Sequence, residues 1–113
     1  MIAFENDKWK VIEFIEPDDV NEYIKGNGNF PDPDTYNKQM YDHYRKKSPI
    51  YLIDNKSEEG SFIIFSTGAK NYMDKDNRYV DFPKYINDNK DLGDILLKNC
   101  EKDILLIDLL KRL

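Results

Sequence analysis

Apolar and polar residues alternate in part over KWKVIEFI (residues 8–15): Trp9, Val11 and Ile15 fall on one side, Ile12 and Phe14 on the other. That spacing predicts a strand with both faces covered. Glu16 and Pro17 end it, and PDDVNEYIK reads as a short helix. Pro17 suits the first helical position, and Asp18 and Asp19 complement the helix dipole in the first turn. Val20, Tyr23 and Ile24 form its apolar stripe, and Gly26 ends it. Asp32-Pro33-Asp34-Thr35 signals a second helix start, with Asp32 as cap. In TYNKQMYDHYRKK, Tyr36, Met40 and Tyr44 recur every four residues on one face, flanked by Tyr41. Arg45, Lys46 and Lys47 close this helix, and Ser48-Pro49 stops it.

Two β-rich runs follow, IYLID (50–54) and SFIIFST (61–67), around the polar turn NKSEEG. They predict a hairpin, and NYM-DKDN-RYVDF predicts another over 71–82. Pro83 begins a short helical turn through Ile86. The tail, DLGDILLKNCEKDILLIDLLKRL, reads as helix with a weak point near Asn99. Strand, two helices, strands and terminal helix make an α+β order: one domain over 1–113, with a central, mainly antiparallel sheet. Expected core residues are Trp9, Val11, Phe14, Tyr23, Met40, Tyr44, Tyr51, Ile53, Ile63, Phe65, Leu96 and Leu106.

The tail carries a further implication. On a wheel of about 100° per residue, apolar positions from Leu92 to Leu113 cover more than one face. A chain of this length has little spare protein to bury a second face, so self-association through Leu106, Leu109, Leu110 and Leu113 is expected, giving a homodimer.

Composition narrows the chemistry. With 113 residues the chain can hold one real core. The balance of 17 basic against 22 acidic residues, net −5, argues against phosphate neutralisation and direct nucleic-acid binding. Cys100 is the only cysteine, so an intramolecular disulfide is impossible, and a reducing, cytoplasmic setting is expected. The start MIAFENDKWKVIEF lacks a basic region followed by an apolar run, and no stretch reaches a membrane-spanning length. Neither a signal peptide nor a membrane partner is expected.

Motifs for cofactors and metals fail on inspection. KGNGN lacks the Gly-Lys-Ser/Thr ending of a phosphate loop and follows a helix, not a strand. DKDNRYVDFPKY starts like a calcium loop. However, Tyr79 stands where glycine must turn the chain, Arg78 occupies a ligand position and Tyr85 replaces the closing glutamate. His43 and Cys100 are the only candidates for a nucleophile and base. Cys100 sits in the apolar stripe of a helix, where a cysteine acts as a small hydrophobe, and a helical, part-exposed position is expected for His43. No cofactor, metal or catalytic residue is assigned, and a non-enzymatic role is expected. The enzyme alternative would pair His43 with Asp42 or Asp54 in a cleft.

The acids do cluster. Glu16, Asp18, Asp19, Glu22, Asp32 and Asp34 face Lys25 alone, either as helix starts and a solvated face or as a negative docking patch. Phe30, flanked by Asn29 and Pro31, either plugs into the core or anchors a partner.

Together VIEFI, PDDVNEYIK, the loop, TYNKQMYDHYRKKSPIYLID and FIIFST resemble a family of phage and prophage proteins over residues 9–82. Members carry a strand, a short helix, a Gly-Thr-x-Trp-Cys-Ile segment, an aromatic Tyr…Tyr stretch and an IYxIID-like strand. Tyr41 to Tyr44 and Ile50 to Asp54 carry the match, while GNGNFPDPD stands in place of the Trp-Cys segment. The resemblance implies a phage-related origin and no site residues. Small acidic phage proteins without catalytic motifs are often inhibitors of host defence, such as anti-CRISPR proteins. The expected function is therefore inhibition of a basic host nuclease or other nucleic-acid enzyme in the host cytoplasm. Asp18, Asp19, Glu22, Asp32 and Asp34 would meet its cations, with Phe30 as anchor. Alternatives are an immunity protein neutralising a toxic nuclease, a structural module of the phage particle, and a small enzyme domain.

Overall fold

The computed structural model describes residues 1–16, 19 and 41–113. Among the described residues, five antiparallel strands lie in chain order: β1 (Ile2–Glu5), β2 (Trp9–Phe14), β3 (Ile50–Asn55), β4 (Phe62–Ser66) and β5 (Asn71–Asp74). Helix α1 (Tyr41–Arg45) precedes β3, and α2 (Phe82–Asp88), α3 (Lys90–Asn99) and α4 (Ile104–Lys111) follow the sheet. This is an α+β fold.

The central strands are apolar on both faces because both faces are buried, which also erases simple alternation. Register keeps the faces distinct. Val11 pairs with Ile53 and Ile53 with Ile63, while Ile12 pairs with Leu52 and Leu52 with Ile64. The first set joins Trp9, Tyr51, Phe65 and Tyr72 beneath the helices, where Phe82, Ile86, Leu92, Leu96, Leu106 and Leu110 complete one core. The second set joins Phe14, Ile50 and Phe62 on the opposite face, with Tyr44 packed against it. The division of Trp9 and Val11 from Ile12 and Phe14 follows the spacing in the sequence, whereas Ile15 is exposed. Of the expected core, Tyr44 is only half-buried, and Tyr23 and Met40 lie outside the described residues.

Strand β1 was not expected. It turns into β2 through Asn6, whose carboxamide oxygen accepts from the amides of Lys8 (2.9 Å) and Trp9 (2.7 Å). The second expected hairpin forms only in part. The Asp74 carboxylate accepts from the amides of Asp76 and Arg78, and Asn77 takes a left-handed conformation with φ 60°. The return side is one bridge, Met73 to Tyr79, with bonds from the Asp74 amide to the Arg78 carbonyl and from the Val80 amide to the Tyr72 carbonyl. Helix α2 is started by Asp81, which accepts from the Lys84 amide, with Pro83 in the first turn.

Gly68 fixes the corner after β4. A Cβ there would lie 2.5 Å from the Lys47 carbonyl oxygen and 2.7 Å from its carbon. The Gly68 amide donates to Ser48 Oγ (2.9 Å), and Ser48 Oγ is 2.8 Å from Ser66 Oγ in a buried pair. Gly68→Ala must push backbone against backbone, so a loss of about 1–3 kcal/mol is expected in chemical denaturation. A variant as stable as the parent would mean the corner is free to shift.

Candidate functional site

Among the described residues, Tyr51, Cys100 and Asp103 form a buried group of mutually interacting titratable side chains on the helix side of the sheet. Tyr51 reaches it because odd-numbered residues of β3 face the helices. Cys100 ends α3, its amide bonded to the Leu96 carbonyl (2.9 Å), and Asp103 starts α4 by accepting from the Leu106 amide at 3.1 Å. The Tyr51 phenol and the Cys100 thiol lie close enough to perturb one another. Beside them is a cavity of about 280 Å³ rimmed by Glu13, Lys98, Glu101 and Lys102.

Burial dominates the electrostatics here. It pushes the Cys100 thiol up to about 12, against the opposing pull of the Tyr51 hydroxyl. The Tyr51 phenol also moves upward, chiefly by burial. Asp103 moves upward for the same first reason, although the amides of Leu106 and Leu105 partly offset it. A thiol so raised is protonated near neutrality and is a poor nucleophile. Cys100 should therefore react with a disulfide reagent about two orders of magnitude more slowly in the native chain than in the urea-unfolded one; equal rates would contradict its burial at 3% exposure.

Asp103 is 2% exposed, and its second oxygen, Oδ2, has no hydrogen-bond partner. One oxygen caps a helix while the other loses its hydration. Asp103→Asn keeps a capping oxygen and removes the buried charge. Since the folded pKa lies above the unfolded one, ionisation of Asp103 opposes folding. Its penalty is absent below the ordinary value of 3.8 and grows as pH rises through the raised folded value. Asp103→Asn should thus gain stability relative to the parent between acid and neutral pH. A parent-minus-variant difference flat across that range would refute the assignment.

The sequence candidates are not brought together. His43 is exposed, its ring edge-on to Tyr44 at 5.4 Å. Its neighbour Tyr44 packs on the sheet face opposite Cys100. Asp54 is half-buried on β3, its carboxyl raised by burial, and Asp42 is exposed on α1. Among the described residues, no group of three or more His, Cys, Asp or Glu side chains could hold a metal ion, and no helix is long and apolar enough to cross a membrane.

Of the acid-rich stretch, Asp19 is described. Its Oδ2 accepts from the amides of Ile15 (2.7 Å) and Glu16 (2.9 Å), fixing the chain as it leaves β2. Asp18, Glu22, Phe30, Asp32 and Asp34 lie outside the described residues.

The tail requires a correction. Leu106 (0% exposed) and Leu110 (6%) are in the core of their own chain, so neither can serve self-association. The cause is the break at 100–103. It resets the helical phase, so that Leu106 and Leu110, at i and i+4, turn onto the sheet. Leu109 packs partly against the same core. The exposed apolar residues of the segment are Ile104, Leu105 and Leu113.

No family profile, curated protein or solved structure matches the chain. The site must be read from its own geometry. The Tyr51–Cys100–Asp103 group was missed in the sequence because its members come from three separate elements. One local signal was available: an aspartate immediately before the apolar run ILLI, the pattern of a helix cap.

Proposed function

We propose that this chain acts by binding, and that it occupies a basic surface on a nuclease or other nucleic-acid enzyme, inhibiting it without chemistry of its own. The observation that carries this reading is the employment of its reactive side chains in the fold. The Cys100 thiol is buried and protonated against Tyr51, Asp103 caps α4, and His43 is exposed on α1. What remains for a partner is surface. The chain carries net −5, and its acids concentrate between Glu16 and Asp34. Opposite fields steer encounter and reject like-charged surfaces. Asp19 has a structural duty in this stretch, so the docking charge falls to Asp18, Glu22, Asp32 and Asp34, with Phe30 as the apolar anchor.

Inhibition assays on purified nucleases with basic nucleic-acid channels, CRISPR effectors among them, test the proposal. Reversing Asp18, Glu22, Asp32 and Asp34 to lysine should slow association by about tenfold or more and reduce its salt dependence. Unchanged inhibition by that variant would place the docking surface elsewhere. Failure of the parent to inhibit any such enzyme would sink the reading itself.

A further inference from the structure

Three cavities lined by described residues differ in charge. The one beside Tyr51 mixes Glu13 and Glu101 with Lys98 and Lys102, and a second, of about 340 Å³ between α3 and α4, sets Lys90 against Asp94. The third, of about 350 Å³, lies where β5, the start of α2 and α4 meet. Its lining holds two cations, Lys70 and Arg112, and no acid, in a chain where acids outnumber bases 22 to 17. Tyr72, Tyr79, Leu105 and Leu109 supply its apolar walls.

Three details suit a ligand. Tyr79 is 70% exposed and stands edge-on to Tyr72 at 6.4 Å, so a flat apolar face is available at solvent cost. Thr67, whose Oγ1 is buried beside the Tyr72 phenol without a hydrogen bond of good geometry, lines the same wall. Lys70 adopts φ 52°, a left-handed conformation in which glycine would be the unstrained choice. That conformation closes the turn from Thr67 (Lys70 amide to Thr67 carbonyl, 3.1 Å) and sets the lysine at the rim. Arg112 is held at the opposite wall by a bond from its Nε to the Asp108 carbonyl (3.3 Å).

We propose that this groove binds a small amphipathic anion, with an aromatic body against Tyr72, Tyr79, Leu105 and Leu109 and a carboxylate at the Lys70–Arg112 rim. The volume sits at the low end for small-molecule sites, which run from roughly 300 to 1,000 Å³. Guanidinium and ammonium groups at the mouth of an apolar groove favour a carboxylate over a neutral ligand of the same shape, because charge-assisted bonds are the stronger ones.

The test uses the full chain, titration calorimetry and indole-3-acetate as probe, with indole and acetate as controls. Saturable one-to-one binding of indole-3-acetate is expected, with indole weaker by about tenfold and acetate undetectable. Arg112→Glu should weaken indole-3-acetate by about tenfold or more. Lys70→Gly separates binding from folding: it relieves the left-handed strain, so the melting temperature should hold or rise while affinity falls. Equal affinity for indole and indole-3-acetate would overturn the proposal. So would affinity unchanged in both variants, or no saturable binding of the probe. Light scattering that finds a dimer dissociated by Leu105→Asp would also overturn it, because a second copy would then fill the groove.

Discussion

Phe65→Ala should lower the stability of the fold by about 3–5 kcal/mol, a large share of what a small domain possesses. Phe65 is fully buried among three other rings. Phe82 lies 4.7 Å away, Tyr51 5.4 Å and Tyr72 6.0 Å. Two of those contacts follow from strand register, since Phe65 pairs with Tyr51 on β3 and with Tyr72 on β5. The third joins the sheet to the first turn of α2. Alanine would leave a cavity that rigid strands on two sides cannot close. Urea denaturation should show a lower midpoint with an unchanged slope. A cost below about 1 kcal/mol would mean that the rings repack around the gap.

Trp9→Ala should be comparably severe, about 3–5 kcal/mol, for a different reason. Trp9 is fully buried, packs edge-on to Tyr85 at 6.3 Å and donates from its indole nitrogen to Asp91 Oδ2 at 2.7 Å. It ties β2 to the first turn of α3, across a sequence separation of 82 residues. Lys8 Nζ sits 5.1 Å from the indole ring and 3.9 Å from Asp91. Trp9→Phe keeps most of the packing and loses the donor, so about 0.5–1.5 kcal/mol is expected. The Asp91 carboxyl is held below its ordinary 3.8 first by the Trp9 hydrogen bond. Its contribution is therefore present above that value and disappears as pH falls through the lower folded value. The gap between parent and Trp9→Phe should shrink in strong acid. A gap that widens there would reverse the assigned sign, which is opposite to that of Asp103.

Sequence periodicity revealed what is local. The hairpin of β3 and β4 follows from two apolar runs around a polar turn, the two-sided burial of β2 from its mixed alternation, and the joint after Asn99 from a polar interruption. It failed where short pieces borrow their stability. Strand β1 has four residues and exists because Asn6 turns it onto β2 and because α3 lies against it. The phase of α4 was misread because a wheel drawn from Leu92 to Leu113 assumes one continuous helix, whereas Asp103 restarts it. Neither the helix-joint cluster nor the cationic groove was legible. Each gathers residues from separate elements, as with Lys70 and Arg112 around one cavity, and beyond the cap signal at Asp103 spacing along the chain does not show that.

Neighbouring strands β2 and β3 pair at six positions, from Trp9 opposite Asn55 to Phe14 opposite Ile50. Phe14 and Ile50 are nonetheless separated by all of residues 15–49. In geometry alone a two-residue turn could join them. The order of folding events follows from this separation. The β3–β4 hairpin closes a short loop and should form early, whereas β2 joins only after the long excursion is closed. That costs merely about 0.6 kcal/mol for each doubling of loop length, but it must be met before any β2 contact is gained. Mutational rate analysis would then find Ile63 native-like in the transition state and Val11 late. The chain's speed of folding would be set by closure of the segment that joins two neighbouring strands.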